Sequence, residues 1–432
     1  MINPPRMRYT ADLCGTISQS LKALQGYGIM ALELIQNADD AGATHLSFDV
    51  RDDALVVRNS AKFTNCGKYG EVCAWEKDGA PSGGYKACNI HAISTMGARS
   101  KFESADQIGR FGIGFVSVFQ VADTPIIRSG DCELILNPAA PQIEPKIVSK
   151  REDTEFELPW ATSETPVRKA LDASTVPLEI ADILLGEVLE TIGSSMLFLR
   201  HLEVVEVFRN GNLVERLAIV RGPDTIDLRF SFADETKRWL LLRTSAQPII
   251  EQRKLLENFP QLQNHKRSGE VTLAVAVDGE HGDGKLFAYL PTQQSSRLPL
   301  HINGDFYPES SRKDIVLRGR GQERHWNEAL IGAAAELIGS AFDALREHLG
   351  AVGLWRLGNS CFEQREDEIF GCYWKAFQSA AQQTNSVLSA NGAWLQPKSI
   401  FFDGEAHDSE TQEVFSELGL PLISEQFRLF SN

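Results

Sequence analysis

The sequence predicts an α+β protein of more than one domain, and three observations point there. A stretch with helical spacing, Thr16 to Ala43, runs straight into two short β runs; a hairpin signal near residue 210 opens a second series of strands; and an amphipathic helix from about Arg324 to His348 closes that series. The chain has 432 residues, 43% hydrophobic and 23% charged, which suffices for extended cores and two or three domains and excludes a disordered or fibrous chain.

In the first stretch Leu21, Leu24, Leu32, Ile35 and Ala38 keep helical spacing, interrupted at Gly26 and Gly28. THLSFDV and ALVVRN read as strands joined by the turn Arg51-Asp52-Asp53. Residues 64 to 110 are rich in Gly, Ser, Ala and Lys, with little periodicity until the helix-like NIHAISTMG; a loop of that size in a regular domain is usually functional or mobile. FGIGFVSVFQVAD then reads as a glycine turn opening a helix, and PIIRS, CELILN and EFELP as further strands. A helical stretch from Glu179 to Phe198 separates a first domain, 1–190, from a second, 191–348. The second begins with LEVVEVFRNGNLVERLAIV, whose Asn210-Gly211 pair suits a two-residue primed turn. It continues through IDLRFSF, RWLLLRT, EVTLAVAVDG, KLFAYLP and LPLHING into a largely antiparallel sheet. Residues 349–432 mix helices with short strands as a small, mostly helical C-terminal region, which the expectation allows to be the start of a longer protein.

With 58 acidic and 43 basic residues the formal net charge is -15, which argues against a protein that coats nucleic acid or an anionic membrane. Any bound anion must be held locally. No apolar run approaches the ~18 residues of a membrane span, and MINPPRMRYT lacks the apolar core of a signal peptide. The expected compartment is the cytoplasm. The seven cysteines form no CxxC pair and read as reduced thiols. Cys66, Cys73, Cys88 and His91 are of ligand type, but their irregular spacing favours ordinary structural cysteines, and no metal site made of thiols is expected.

Three segments carry chemistry. In ELIQNADDAGA, spacing of i, i+4 and i+7 puts Glu33, Asn37 and Asp40 on one helix face. A carboxylate there can polarise a water and an amide oxygen one turn on can ligate magnesium, although a solvated helix face has the same pattern. In IGRFGIGF, Gly109, Gly112 and Gly114 precede a helix, where exposed amides attract phosphate. The order does not fit a dinucleotide fingerprint, and GAPSGGYK and GEHGDGKL do not satisfy the P-loop pattern. The third segment, SRKDIVLRGRGQER, carries five positive and two negative charges, and Arg312 and Lys313 stand just after a strand and turn. Read alone, it is a solvated loop.

Together, ELIQNADDAGAT and IGRFGIGFVSVFQVAD resemble the two best-marked boxes of the GHKL ATPases, the superfamily of heat-shock protein 90, gyrase B, MutL and sensor histidine kinases. The sacsin-type branch is more similar still, through LFLRHLEVVEV, KLFAYLPTQQSSRLPLHINGDFYPESSRKD, RHWNEALIGAAAELI, YWKAF and WLQPKSIFF. The resemblance spans most of the chain, with its sharpest motifs in the first 160 residues. It implies a two-layer α/β sandwich of the GHKL (Bergerat) type, then an α+β transducer-like middle domain, and ATP and Mg2+ as ligands. Glu33 would orient and deprotonate the attacking water, and Asn37 would ligate the magnesium. Asp40 would lie toward adenine and ribose, and Thr154 would meet the adenine. Gly109, Phe111, Gly112, Gly114 and Phe115 would wrap the phosphates, residues 64 to 108 would form a lid, and Gly97 would lie at its turn. Arg312 or Lys313 would reach the γ-phosphate. The family's DxGxG box is replaced here by NSAKF, with Asn59, Ala61 and Phe63. An asparagine can accept from the adenine amine or turn its amide donor there, so weaker base discrimination is expected.

The leading expectation is a slow conformational ATPase with a chaperone-like role or a part in prokaryotic stress or antiviral defence, acting on protein partners or clients and admitting a nucleotide-dependent homodimer. The alternative is a nucleotide-gated binding switch with negligible hydrolysis. A histidine kinase would need a phospho-accepting helical hairpin upstream, for which about thirty residues before Glu33 leave little room.

Overall fold

The apolar spacing near the start produces two helices, α1 (Leu13–Ala23) and α2 (Tyr27–Asp40). The computed structural model describes residues 12–23, 26–69, 72–79, 87–94, 114–140, 142–264, 267–277, 282–309, 313–401, 409–424 and 426. The chain divides into two units: Met1–Val220 with Leu228–Thr236, and Arg221–Asp227 with Lys237–Asn432.

In the first unit, α2 buries Met30, Ala31, Leu34, Ile35 and Ala38. It ends in a glycine-terminated turn: Ala43 N–H donates to Ala38 O at 3.0 Å, Gly42 N–H donates to Asp39 O at 2.9 Å, and Gly42 has φ +77°. That is a Schellman end, and the left-handed glycine turns the chain into the sheet. Strands β1 (His45–Val50) and β2 (Ala54–Asn59) follow, then the short helices α3 (Ala74–Asp78) and α4 (Asn89–Ser94) and a 3-10 helix, Gly114–Gln120. Next come β3 (Ile126–Ser129), β4 (Cys132–Ile135), β5 (Lys146–Ile147), β6 (Thr154–Pro159), α5 (Pro166–Ala170) and α6 (Ile180–Thr191). The hairpin β7 (Val204–Arg209) and β8 (Asn212–Arg221) turns at Asn210 and Gly211, both at positive φ as expected. The strand order is β8-β7-β1-β2-β6-β3-β4-β5, antiparallel except for β7 beside β1. Helix α2 packs on α6 and on the 3-10 helix, and α6 on β1 and β7, giving a two-layer α/β sandwich.

The boundary expected near residue 190 falls inside this unit. Parallel pairing of β7 with β1, from His45 opposite Val204 to Val50 opposite Arg209, draws the hairpin into the first sheet. The turn signal is local, whereas the sheet that a hairpin joins depends on partners far away in sequence.

The chain continues through β9 (Thr225–Phe230), β10 (Glu235–Ser245), the short helices α7 (Gln247–Gln252), α8 (Leu255–Asn258) and α9 (Gln261–Asn264), and strands β11 (Glu270–Ala276), β12 (Lys285–Ala288), β13 (Leu290–Ser295) and β14 (His301–Gly304). In the second unit the order is β13-β12-β14-β11-β10, mostly antiparallel. KLFAYLP, expected as one strand, reverses at Tyr289, which has φ +67°. Helices α10 (Gln322–Ser340), α11 (Phe342–Glu363) and α12 (Cys372–Gln383) follow, with β15 (Val387–Leu388), β16 (Trp394–Leu395) and α13 (Ser409–Glu417) after them. The helix expected from Arg324 to His348 is therefore broken at Ala341, and α11 is kinked again at Gly350. Leu273, Ile302, Leu330, Leu354 and Phe377 share one buried core, so the region expected to stand apart after residue 349 packs with the middle strands. Among the described residues, no helix is long and apolar enough to cross a membrane.

Candidate functional site

Helix α2 carries Glu33, Asn37 and Asp40. Glu33 is only 4% exposed, while Asn37 and Asp40 are half-buried. A carboxylate at that depth is costly unless its environment suits it, so this is not a solvated helix face. Both ends of α2 are fixed. At its start, the Gly26 N–H donates to Gln120 Oε1 of the 3-10 helix at 3.1 Å. At its end, the fully buried Asp39 carboxylate accepts from the N–H groups of Arg200, His201 and Leu202, with Oδ1 2.8 Å from the His201 nitrogen and 3.0 Å from that of Leu202. Sequence reading passed Asp39 over, because neighbouring Asp40 has the same chemistry and only the fold reveals which acid points inward.

The strands bring Asn59 and Thr154 together: Asn59 on β2 pairs with Thr154 on β6, and Thr154 with Ser129 on β3. All three are buried. Thr154 Oγ1 donates to Ala61 O at 2.8 Å and lies 2.7 Å from Ser129 Oγ, whose oxygen accepts from the Phe63 N–H at 2.8 Å. Asn59 Oδ1 accepts from the Ala61 N–H at 3.1 Å, so the amide oxygen of this residue is engaged locally. Ala61 and Phe63, the residues that replace the box glycines, are thus tied to the same row.

The 3-10 helix Gly114–Gln120 begins at the end of the glycine box. Phe115 lies against Phe156 of β6, ring centroids 5.5 Å apart. Its far end is capped by Arg168, 1% exposed, whose Nη1 donates to Phe119 O at 2.8 Å while Nε stands 2.8 Å from Asp123 Oδ1. Burial lowers the Arg168 pKa and the Asp123 carboxylate opposes that shift. A cation at this C-terminal end suits the carbonyls exposed there. Of the expected phosphate-box residues, Gly109, Phe111 and Gly112 lie outside the described residues, as do Gly97 of the expected lid turn and Arg312.

In the second unit, Lys313 is half-buried, and its carbonyl accepts from the Gln293 N–H at 2.6 Å. It follows the arm of a small hairpin bridged between Pro308 and Ile315. Fully buried Asn327 on α10 holds both arms: Oδ1 accepts from the Tyr307 N–H at 2.8 Å, and Nδ2 donates to Tyr307 O and Val316 O, each at 2.9 Å. An asparagine within the apolar face of RHWNEALIG was the signal available for this anchor.

The structure also gathers Cys66, Cys73, Cys88 and His91, with all four ligand-type atoms within 4.8 Å of one another. Their irregular spacing favoured ordinary structural cysteines and no metal site made of thiols, yet the fold brings the four side chains together from three separate pieces of chain.

Residues 10–167 match the family model of the sacsin domain. The chain is 26% identical over 357 residues to Protein NO VEIN of Arabidopsis thaliana, covering 76% of this chain and 11% of that protein. It is 32% identical over 139 residues to Sacsin of Homo sapiens, covering 30% of this chain and 3% of that protein. The chain therefore spans a small fraction of the length of either relative. The ATPase domain of the mismatch repair endonuclease MutL of Aquifex aeolicus is 14% identical over 71% of this chain and 96% of its own, with a TM-score of 0.34, too low for inference. The chain is thus similar to sacsin-type proteins, most specifically over residues 10–167, which match the sacsin domain.

Proposed function

We propose that the chain is a Mg2+-dependent conformational ATPase that binds ATP in its first unit and hydrolyses it slowly. The observation that carries this reading is the burial of Glu33 one helical turn from Asn37, in a segment that matches the sacsin domain. The donor set suits a hard cation: the Asn37 amide oxygen would supply one neutral oxygen ligand to magnesium. Glu33 accepts the proton of the attacking water, and its low-dielectric setting keeps the carboxylate from being wasted on bulk solvent. Asn37 holds the cation, which when bound offsets phosphate charge. Asn59 and Thr154 form the floor that faces the base, and the amides at Gly114 and Phe115 meet phosphate with their glycine neighbours. The nucleotide state is passed to protein partners, in a chaperone-like or defence role; the expected lid, residues 64–108, lies partly outside the described residues.

Two variants test the roles. Glu33→Ala should keep ATP binding by calorimetry and lose phosphate release, by about 100-fold or more. Asn37→Ala should lose the Mg2+-dependent part of binding. Unchanged turnover in the Glu33 variant would refute the assigned base, and Mg2+-dependent ATP binding by the wild type without any phosphate release would leave the nucleotide-gated switch instead.

A further inference from the structure

Cys66, Cys73, Cys88 and His91 stand on three short pieces of the first unit that a hydrogen-bonded frame holds together. Cys66 lies in the extended segment after β2, Cys73 at the start of α3, and Cys88 and His91 three residues apart across the start of α4. The extended segment is clamped to α4: the Thr64 N–H donates to Asn89 Oδ1 at 2.8 Å, and the Asn89 N–H donates back to Thr64 Oγ1 at 2.9 Å. His91 Nδ1 is 3.2 Å from Cys88 Sγ and 3.7 Å from Cys66 Sγ. The Cys88 N–H donates to Cys73 Sγ at 3.3 Å, an outer contact of the kind that stabilises a metal-bound thiolate. Cys73 and Cys88 are buried, 1% and 0% exposed.

Apolar packing does not call for three thiols around an imidazole nitrogen. A tetrahedral zinc does: Zn–S bonds of about 2.3 Å and a Zn–N bond of about 2.0 Å place the ligand atoms about 3.5–3.8 Å apart. The distances observed to Nδ1 straddle the sulfur-to-nitrogen edge, and all four atoms lie within 4.8 Å of one another, close enough for small side-chain rotations to reach it. Three soft sulfurs and one imidazole select zinc over the hard cations, and four protein ligands leave no open position for substrate, which makes the site structural rather than catalytic.

We propose that Cys66, Cys73, Cys88 and His91 bind one Zn2+ that staples the segment between residues 66 and 91. On binding, the three thiols release their protons to solvent, and His91 coordinates as neutral imidazole through Nδ1. The charge of the zinc with three thiolates is then −1. This site does not depend on the nucleotide reading, and its test uses no nucleotide.

The full-length chain, expressed with zinc in the medium and purified without chelator, is assayed by elemental analysis and by thiol titration after denaturation. One zinc per chain is expected, lost in Cys88→Ser and in His91→Ala and retained in Cys14→Ser, whose thiol lies outside the cluster. Because a ligand variant can fail to fold, the wild type is also exchanged with Co2+. Sulfur-to-cobalt charge transfer in the near ultraviolet together with tetrahedral d–d bands in the visible supports the site. A zinc-free wild type, an octahedral cobalt spectrum, or a disulfide between two of the four residues overturns it.

Discussion

Asp39 and Glu33 sit six residues apart on α2, and both are buried for different reasons. Asp39 is a tie: its carboxylate satisfies three N–H groups at the entry to β7 and so fixes the end of the helix that carries Glu33. Removing it takes the acceptor away from all three donors. Asp39→Ala should therefore destabilise the first unit by about 3 kcal/mol or more, read from urea unfolding, with Asp39→Asn less severe because an amide oxygen still accepts. A loss below about 0.5 kcal/mol would show that water replaces the carboxylate. Glu33 is buried on the same helix, and the sequence offered it only as one of three acids and amides on a helix face. Its burial is what separates a reactive group from a solvated one.

At the scale of elements, the motif ELIQNADDAGA does two jobs. Its first half presents Glu33 and Asn37, and its second half is the Schellman end at Gly42 that aims the chain into β1. Gly42→Ala forces a side chain into φ +77° and should cost about 1–2 kcal/mol in unfolding free energy, although open space surrounds the position. A variant as stable as the wild type would mean that the turn relaxes without disturbing α2. The same economy holds in the second unit, where one asparagine of α10 anchors both arms of the hairpin that contains Lys313. Local rules made α2, the first two strands and the Asn210-Gly211 hairpin legible, because helix spacing, alternation and primed turns all act within a few residues. They failed at Tyr289 and Ala341, where the residue at the reversal or break is neither glycine nor proline.

For the whole molecule, the net charge of -15 gives a two-part response to acid. Falling from neutral pH first relieves self-repulsion. Below the ordinary carboxylate range a second effect takes over on the face of the first sheet, where Glu155 accepts from Arg58 at 2.6 Å, Arg128 at 2.8 Å and Arg151 at 3.2 Å. Burial pushes the Glu155 pKa up, but the three arginines outweigh it and leave it at about 2. A carboxylate depressed in the folded state contributes stability that is complete above its unfolded pKa, near 4.3, and is lost as pH falls toward about 2. Wild type should lose urea stability through this window, and Glu155→Gln should show a shallower fall; identical slopes would place the acid response elsewhere.

What the sequence determined by itself was the class and much of the local architecture: an α+β chain, a helix bearing Glu33 and Asn37, most strands at the expected runs, and a resemblance to sacsin-type proteins. These features depend on neighbours in the chain, and short-range pattern encodes them. The tertiary structure alone decided that the β7–β8 hairpin joins the first sheet, that the helices after residue 349 share the middle core, that Asp39 is the inward acid, and that three cysteines and a histidine converge. Each of those rests on contacts between residues distant in sequence, whose geometry is set by packing and register, and no spacing rule written along the chain records it.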